Sequence, residues 1–77
     1  MPEEFTDEVA ILHSNTAITI MKLLKFEEAE EHCTRAIDLK PDFVKARANR
    51  AECLYQLKKF EKSLEGLIIR LRIHRQK

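Results

Sequence analysis

Seventy-seven residues make one small domain whose core is marginal on surface-to-volume grounds. With 35% charged residues, 44% hydrophobic residues, one glycine and two prolines, the composition suits amphipathic helices and leaves little material for β-hairpins. The net charge of +1 conceals a polarity: residues 1–31 hold eight acids against Lys22 and Lys25, whereas residues 58–77 hold seven bases against Glu61 and Glu65.

In chain order, Val9, Leu12, Thr16, Ala17, Ile20, Leu23 and Leu24 recur at three- and four-residue steps and predict a first helix over about 7–24. Thr6 is placed to cap it. Lys25 and Phe26 mark a tight break without glycine. Ala29, Cys33, Ala36 and Ile37 form the stripe of a second helix near 27–39, with Glu27, Glu28, Glu30 and Glu31 near its positive end. Pro41 lacks an amide hydrogen and disfavours helix at Lys40, so the second helix stops there. Asp42 then caps a third helix near 43–57, striped by Val44, Ala48, Ala51, Leu54 and Tyr55. Phe60, Leu64, Leu67, Ile68 and Leu71 predict a fourth, and short connections make neighbours antiparallel.

A period of 34 residues runs through these elements. Shifting the chain by 34 superposes Asn15 on Asn49, Ala17 on Ala51, Leu23 on Leu57 and Lys25 on Lys59. The same shift superposes Phe26 on Phe60, Glu27 on Glu61 and Glu31 on Glu65. A repeat of this length is one supersecondary unit that buries its apolar side against a neighbour. Residues 1–77 are therefore expected to form a single domain of two units, 10–43 and 44–77, the second degenerate after residue 68. On this reading Ala17, Leu23, Phe26, Ala29, Cys33, Ala36, Ala51, Leu54, Leu57, Phe60 and Leu64 are buried, and Phe60→Ala would cost ~3–5 kcal/mol.

The spacing Ala17-x5-Leu23-x2-Phe26-x2-Ala29-x3-Cys33-x2-Ala36-x4-Pro41 resembles a tetratricopeptide repeat. So does Asn49-Arg50-Ala51-x3-Tyr55-x-Leu57-x2-Phe60-x2-Ser63, and together they cover about residues 9–68. The stretches HSNTA, RAIDLKPDF and RANRAE are similar to small cytosolic co-chaperone adaptors of that family. The resemblance implies an all-α fold of antiparallel helix-turn-helix repeats, here four helices in an α-solenoid fragment. Arg70 departs from the pattern, standing where the first copy has Ala36. A guanidinium is costly to bury at a close helix contact. Residues 69–75 also alternate apolar and charged side chains in a strand period, so the last helix is expected to fray or protrude near Arg70.

The same resemblance implies a cytoplasmic protein-binding adaptor whose concave side is lined by Ile11, Ser14, Asn15, Ile18, Met21 and Lys22 and by Lys45, Ala48, Asn49, Glu52, Tyr55 and Gln56. Of these, Asn15, Ile18, Lys22, Lys45, Asn49, Glu52 and Gln56 are the candidate peptide-binding residues. Family co-chaperones grip the acidic carboxy-terminal tails of Hsp70 and Hsp90: an amide fixes the peptide backbone and cations hold carboxylates. Asn49 stands where that clamp has arginine, and Glu52 opposes an acidic ligand. The alternative is a structural module that stacks on itself through exposed repeat ends, as a weak homo-oligomer.

Other classes find little support. No apolar run nears the ~18 residues of a membrane span, and the amino terminus has no signal core, so neither membrane insertion nor secretion is expected. Cys33 and Cys53 read as buried thiols of a reducing compartment. His13, His32 and His74 have no zinc-ligand spacing with them. No Ser/His/Asp set, phosphate loop or HExxH occurs, so neither enzymatic activity nor a cofactor is expected. The basic end lacks the aromatic residues that would favour a nucleic-acid partner.

Overall fold

The chain's local preferences produce three helices in a computed structural model that describes residues 5–75, with side chains described through residue 72. They are α1 (Thr6–Lys22), α2 (Phe26–Leu39) and α3 (Val44–Arg75), and no strand occurs among the described residues. Phe5 rather than Thr6 takes the capping position of α1, without a side-chain bond, and the acids Asp7 and Glu8 follow in its first turn. α1 ends in a Schellman turn: Lys25 N–H bonds the Ile20 carbonyl at 3.3 Å and Leu24 N–H the Met21 carbonyl at 2.9 Å. That turn needs a left-handed residue, which is usually glycine; here Leu24 takes it, at φ 62°.

α2 closes with Lys40 N–H on the Ala36 carbonyl at 2.9 Å, immediately before Pro41. Pro41 and Asp42 are the corner of a turn closed by Phe43 N–H on the Lys40 carbonyl at 3.0 Å, the position where proline's fixed φ fits. Asp42 therefore lies one residue before the cap it was expected to be, since the Phe43 carbonyl accepts from Arg47 N–H at 3.1 Å. The Arg47 Nε also donates to the Pro41 carbonyl at 2.8 Å and secures the corner.

The expected third and fourth helices are one. α3 runs 32 residues without interruption through Leu57–Phe60 and past Arg70; of the two outcomes expected there, fraying or protrusion, the helix takes the second. Two physical reasons favour the straight form. Lys58 and Lys59 are good helix formers, and a turn copied from the first unit would force Lys58 into the left-handed region occupied by Leu24. A returning helix would also bring Arg70 to the crossing that Ala36 occupies in the first copy, where its charge would lose solvent.

Burial follows small side chains. Ala10, Ser14, Ala17, Ala29, Cys33, Ala36, Ala46 and Cys53 are fully or almost fully enclosed, with Ile20, Met21 and Phe26 packed around the centre of this set. Small residues at the crossings let the backbones approach, and larger ones are displaced to the flanks. Leu23, Leu54, Phe60 and Leu64, expected inside, are exposed, and so is Ala51, while Leu57 is half-buried. In α3 the buried side is Ala46 and Cys53, about 160° around the helix from the centre of the expected stripe of Val44, Ala48, Ala51, Leu54 and Tyr55. The expected side is the one a returning helix would have covered. The molecule measures 65 × 20 × 18 Å, its long axis set by an α3 of about 48 Å. No helix among the described residues is long and apolar enough to cross a membrane.

Candidate functional site

The candidate residues form two stripes. Asn15, Ile18 and Lys22 follow one face of α1 at steps of three and four, and Lys45, Asn49, Glu52 and Gln56 follow one face of α3 at steps of four, three and four. The two helices meet only lightly, each packing chiefly on α2. Asn15, Lys22, Lys45 and Glu52 are exposed, and Ile18, Asn49 and Gln56 are half-buried. The Thr19 hydroxyl bonds the Asn15 backbone carbonyl at 3.2 Å and leaves the exposed Asn15 side-chain amide available among the described residues. Gln56 Nε2 donates to Glu52 Oε1 at 2.9 Å, so the acid that would oppose an anionic ligand already holds a donor. Asn49 Nδ2 is buried without a hydrogen-bond partner among the described residues. Two further residues of the expected concave side do not line a surface: Ser14 is enclosed and Met21 packs on the core.

Gln56 also borders a cavity of about 730 Å³ where α3 passes the start of α2. Leu24, Phe26, Leu57 and Phe60 give it apolar walls, with Lys25, Glu27, Glu28, Lys59 and Ser63 around them. The cavity exists because α3 continues straight, leaving Phe60 beside the α1–α2 turn rather than folded back. Sequence reasoning missed it for that reason.

Polar contacts between helices fix their mutual register. Arg50 Nε meets Glu30 Oε1 at 3.2 Å across the α2–α3 contact, and Thr34 bonds the same oxygen at 3.0 Å. Lys40 reaches Asp7 at 3.7 Å and lies over the Phe43 ring. Between α1 and α2, His13 Nδ1 and His32 Nδ1 lie 3.1 Å apart, one ring donating and the other accepting. Burial holds the His13 pKa below its ordinary value, and the neighbouring charges of His32 and Arg35 act in the same direction. Cys33 and Cys53 are free thiols inside the α2–α3 contact. Burial pushes the Cys53 thiol up to about 11, with Cys33 adding to the effect, and burial raises Cys33 as well. Neither is a nucleophile at neutral pH. The contacts between helices were not legible in the sequence, because each joins residues 19 to 33 positions apart. The spacing of small residues Ala10, Ser14 and Ala17 was a usable signal for the α1 contact face.

The family described as tetratricopeptide repeat matches residues 25–75. Among curated proteins the chain is 31% identical over 66 residues to "Mitochondrial import receptor subunit TOM70" of Rattus norvegicus, covering 86% of this chain and 11% of that protein. It is 40% identical over 56 residues to "Sperm-associated antigen 1" of Homo sapiens, 73% of this chain and 6% of that one. Over 55 residues it is 31% identical to "DNA polymerase interacting tetratricopeptide repeat-containing, protein of 47 kDa" of Drosophila melanogaster, 71% and 14% respectively. The chain thus spans about a tenth of the length of the relatives it matches. No solved structure matches it.

Proposed function

The chain belongs to the tetratricopeptide repeat family, whose domains mediate protein–protein interaction and are generally non-enzymatic, and on that premise we propose that it is a cytoplasmic adaptor for an acidic peptide segment. It would bind along α1 and α3, in the manner of a co-chaperone holding an Hsp70 or Hsp90 tail. The observation that carries this reading is the pair of stripes: an available amide at Asn15 with exposed cations Lys22 and Lys45 on two roughly parallel helices. Such groups hold a peptide backbone and its carboxylates by charge-assisted bonds of about 1.5–3 kcal/mol each. With Glu52 on the same face and Asn49 Nδ2 buried, affinity should be low, tens of micromolar or weaker, equivalent to ~6–7 kcal/mol. Titrating labelled acidic tail peptides against the chain tests the reading. Lys45→Glu and Asn15→Ala should each weaken binding, and binding that ignores both would refute it.

A second reading, self-association, draws on one observation. From Lys58 onward every described side chain of α3 is exposed, including six large apolar ones.

A further inference from the structure

Ala46, Arg50, Cys53, Leu57, Phe60, Leu64, Leu67 and Leu71 succeed one another at alternating steps of four and three, the spacing of a coiled-coil seam. The first three face α2: Ala46 and Cys53 are buried and Arg50 is paired to Glu30. At Leu57 the seam passes the beginning of α2 and loses its cover. Phe60, Leu64, Leu67 and Leu71 continue it over about 17 Å with 69%, 49%, 53% and 58% of their surfaces in solvent. One helix thus has half of a single apolar stripe satisfied by an antiparallel neighbour and half left open.

We propose that a second copy of this chain covers the open half, the two α3 helices pairing antiparallel through their own seams. The pairing continues the α2–α3 contact, because the incoming helix runs in the direction of α2 and approaches its start. It is self-complementary. With a two-fold axis between Leu64 and Leu67, Leu64 of each copy faces Leu67 of the other, and Phe60 faces Leu71, as an isologous interface requires. Charge selects this arrangement. Arg70 shares a stripe with Gln56 and Ser63, seven residues apart, and both of these line the cavity. In the antiparallel pair Arg70 of one copy therefore enters the cavity of the other, where Glu27 and Glu28 open α2. The residue that disfavours a returning helix finds its acid partners in the second copy.

Leu24 supports the same conclusion. It stands at the cavity wall in a left-handed conformation that glycine would adopt without strain, yet is 75% exposed in the single chain. Strain retained at an exposed apolar residue is accounted for if that residue contacts a partner.

Sedimentation equilibrium of the full chain from about 5 to 500 µM reads the association directly. The expected result is a monomer–dimer equilibrium. Leu64→Glu should raise its Kd at least ~100-fold and Arg70→Glu ~10-fold, with monomer helicity unchanged because both side chains are exposed. Combining Arg70→Glu with Glu27→Arg and Glu28→Arg should restore the dimer. A monomer throughout this range, or a dimer indifferent to Leu64→Glu and Arg70→Glu, would overturn the proposal. Failure of the charge exchange to rescue would overturn the antiparallel arrangement. The proposal does not rest on the peptide-binding reading, and Lys45→Glu, which tests that reading, should leave the dimer unchanged.

Discussion

Phe60→Ala separates the straight α3 from a closed hairpin. Phe60 keeps 69% of its surface in solvent, so of the ~200 Å² a phenylalanine offers only about 60 Å² is withdrawn from water. At about 25 cal/mol per Å² this burial contributes ~1.5 kcal/mol. Alanine returns roughly half a kcal/mol through its higher helix propensity, leaving a net loss near 1 kcal/mol. A phenylalanine closed into a helix hairpin would cost ~3–5 kcal/mol, enough to unfold a domain of marginal stability. Phe26, its equivalent 34 residues earlier, packs against the buried cluster, and Phe26→Ala should cost roughly 2–3 kcal/mol. The assay is urea unfolding followed by far-UV circular dichroism at about 5 µM, where association contributes little. Phe60→Ala should move the midpoint clearly less than Phe26→Ala. Equal losses would mean that Phe60 is enclosed in the monomer and that α3 folds back on itself.

Ser14 is enclosed and its hydroxyl has no hydrogen-bond partner among the described residues, so Ser14→Ala loses no bond and should raise Tm, by the equivalent of up to ~1 kcal/mol. Lower Tm in this variant would reveal a bond to the hydroxyl. The depressed His13 pKa means that the unfolded chain binds a proton near pH 6.5 that the folded chain resists. Stability is therefore full above pH 6.5 and declines as pH falls through the folded value; His13→Gln should flatten the decline in Tm measured between pH 7 and 5. Cys33 and Cys53, buried with raised pKa values, should react with a thiol reagent at neutral pH only as fast as the domain opens, and fully in urea. Rapid labelling of the native chain, read by mass spectrometry, would contradict their burial.

Local chemistry determined a good deal of this protein unaided. Helix is dictated by three- and four-residue spacing, the end of α2 by the missing amide of Pro41, and the buried positions Ala17, Ala29, Cys33 and Ala36 by small residues recurring where helices cross. The candidate stripes on α1 and α3 were legible for the same reason, since residues spaced by three and four share a face wherever the helix lies. The fate of Leu57–Phe60 was not legible. Lys58 and Lys59 suit a helix interior as well as a turn, and the choice turns on surface contributed by residues far along the chain. In the first unit the returning helix closes Ala29, Cys33 and Ala36 over Ala17, and that burial offsets a left-handed Leu24. In the second the equivalents are Ser63, Leu67 and Arg70, which offer a poorer fit and a charge to desolvate, so the unbroken hydrogen-bond ladder wins. That difference turned α3 into a projecting arm, rotated its buried side to Ala46 and Cys53, and opened the cavity beside Phe26. A local pattern specifies what a segment can become, and the packing available to it decides which of those forms is lowest in free energy.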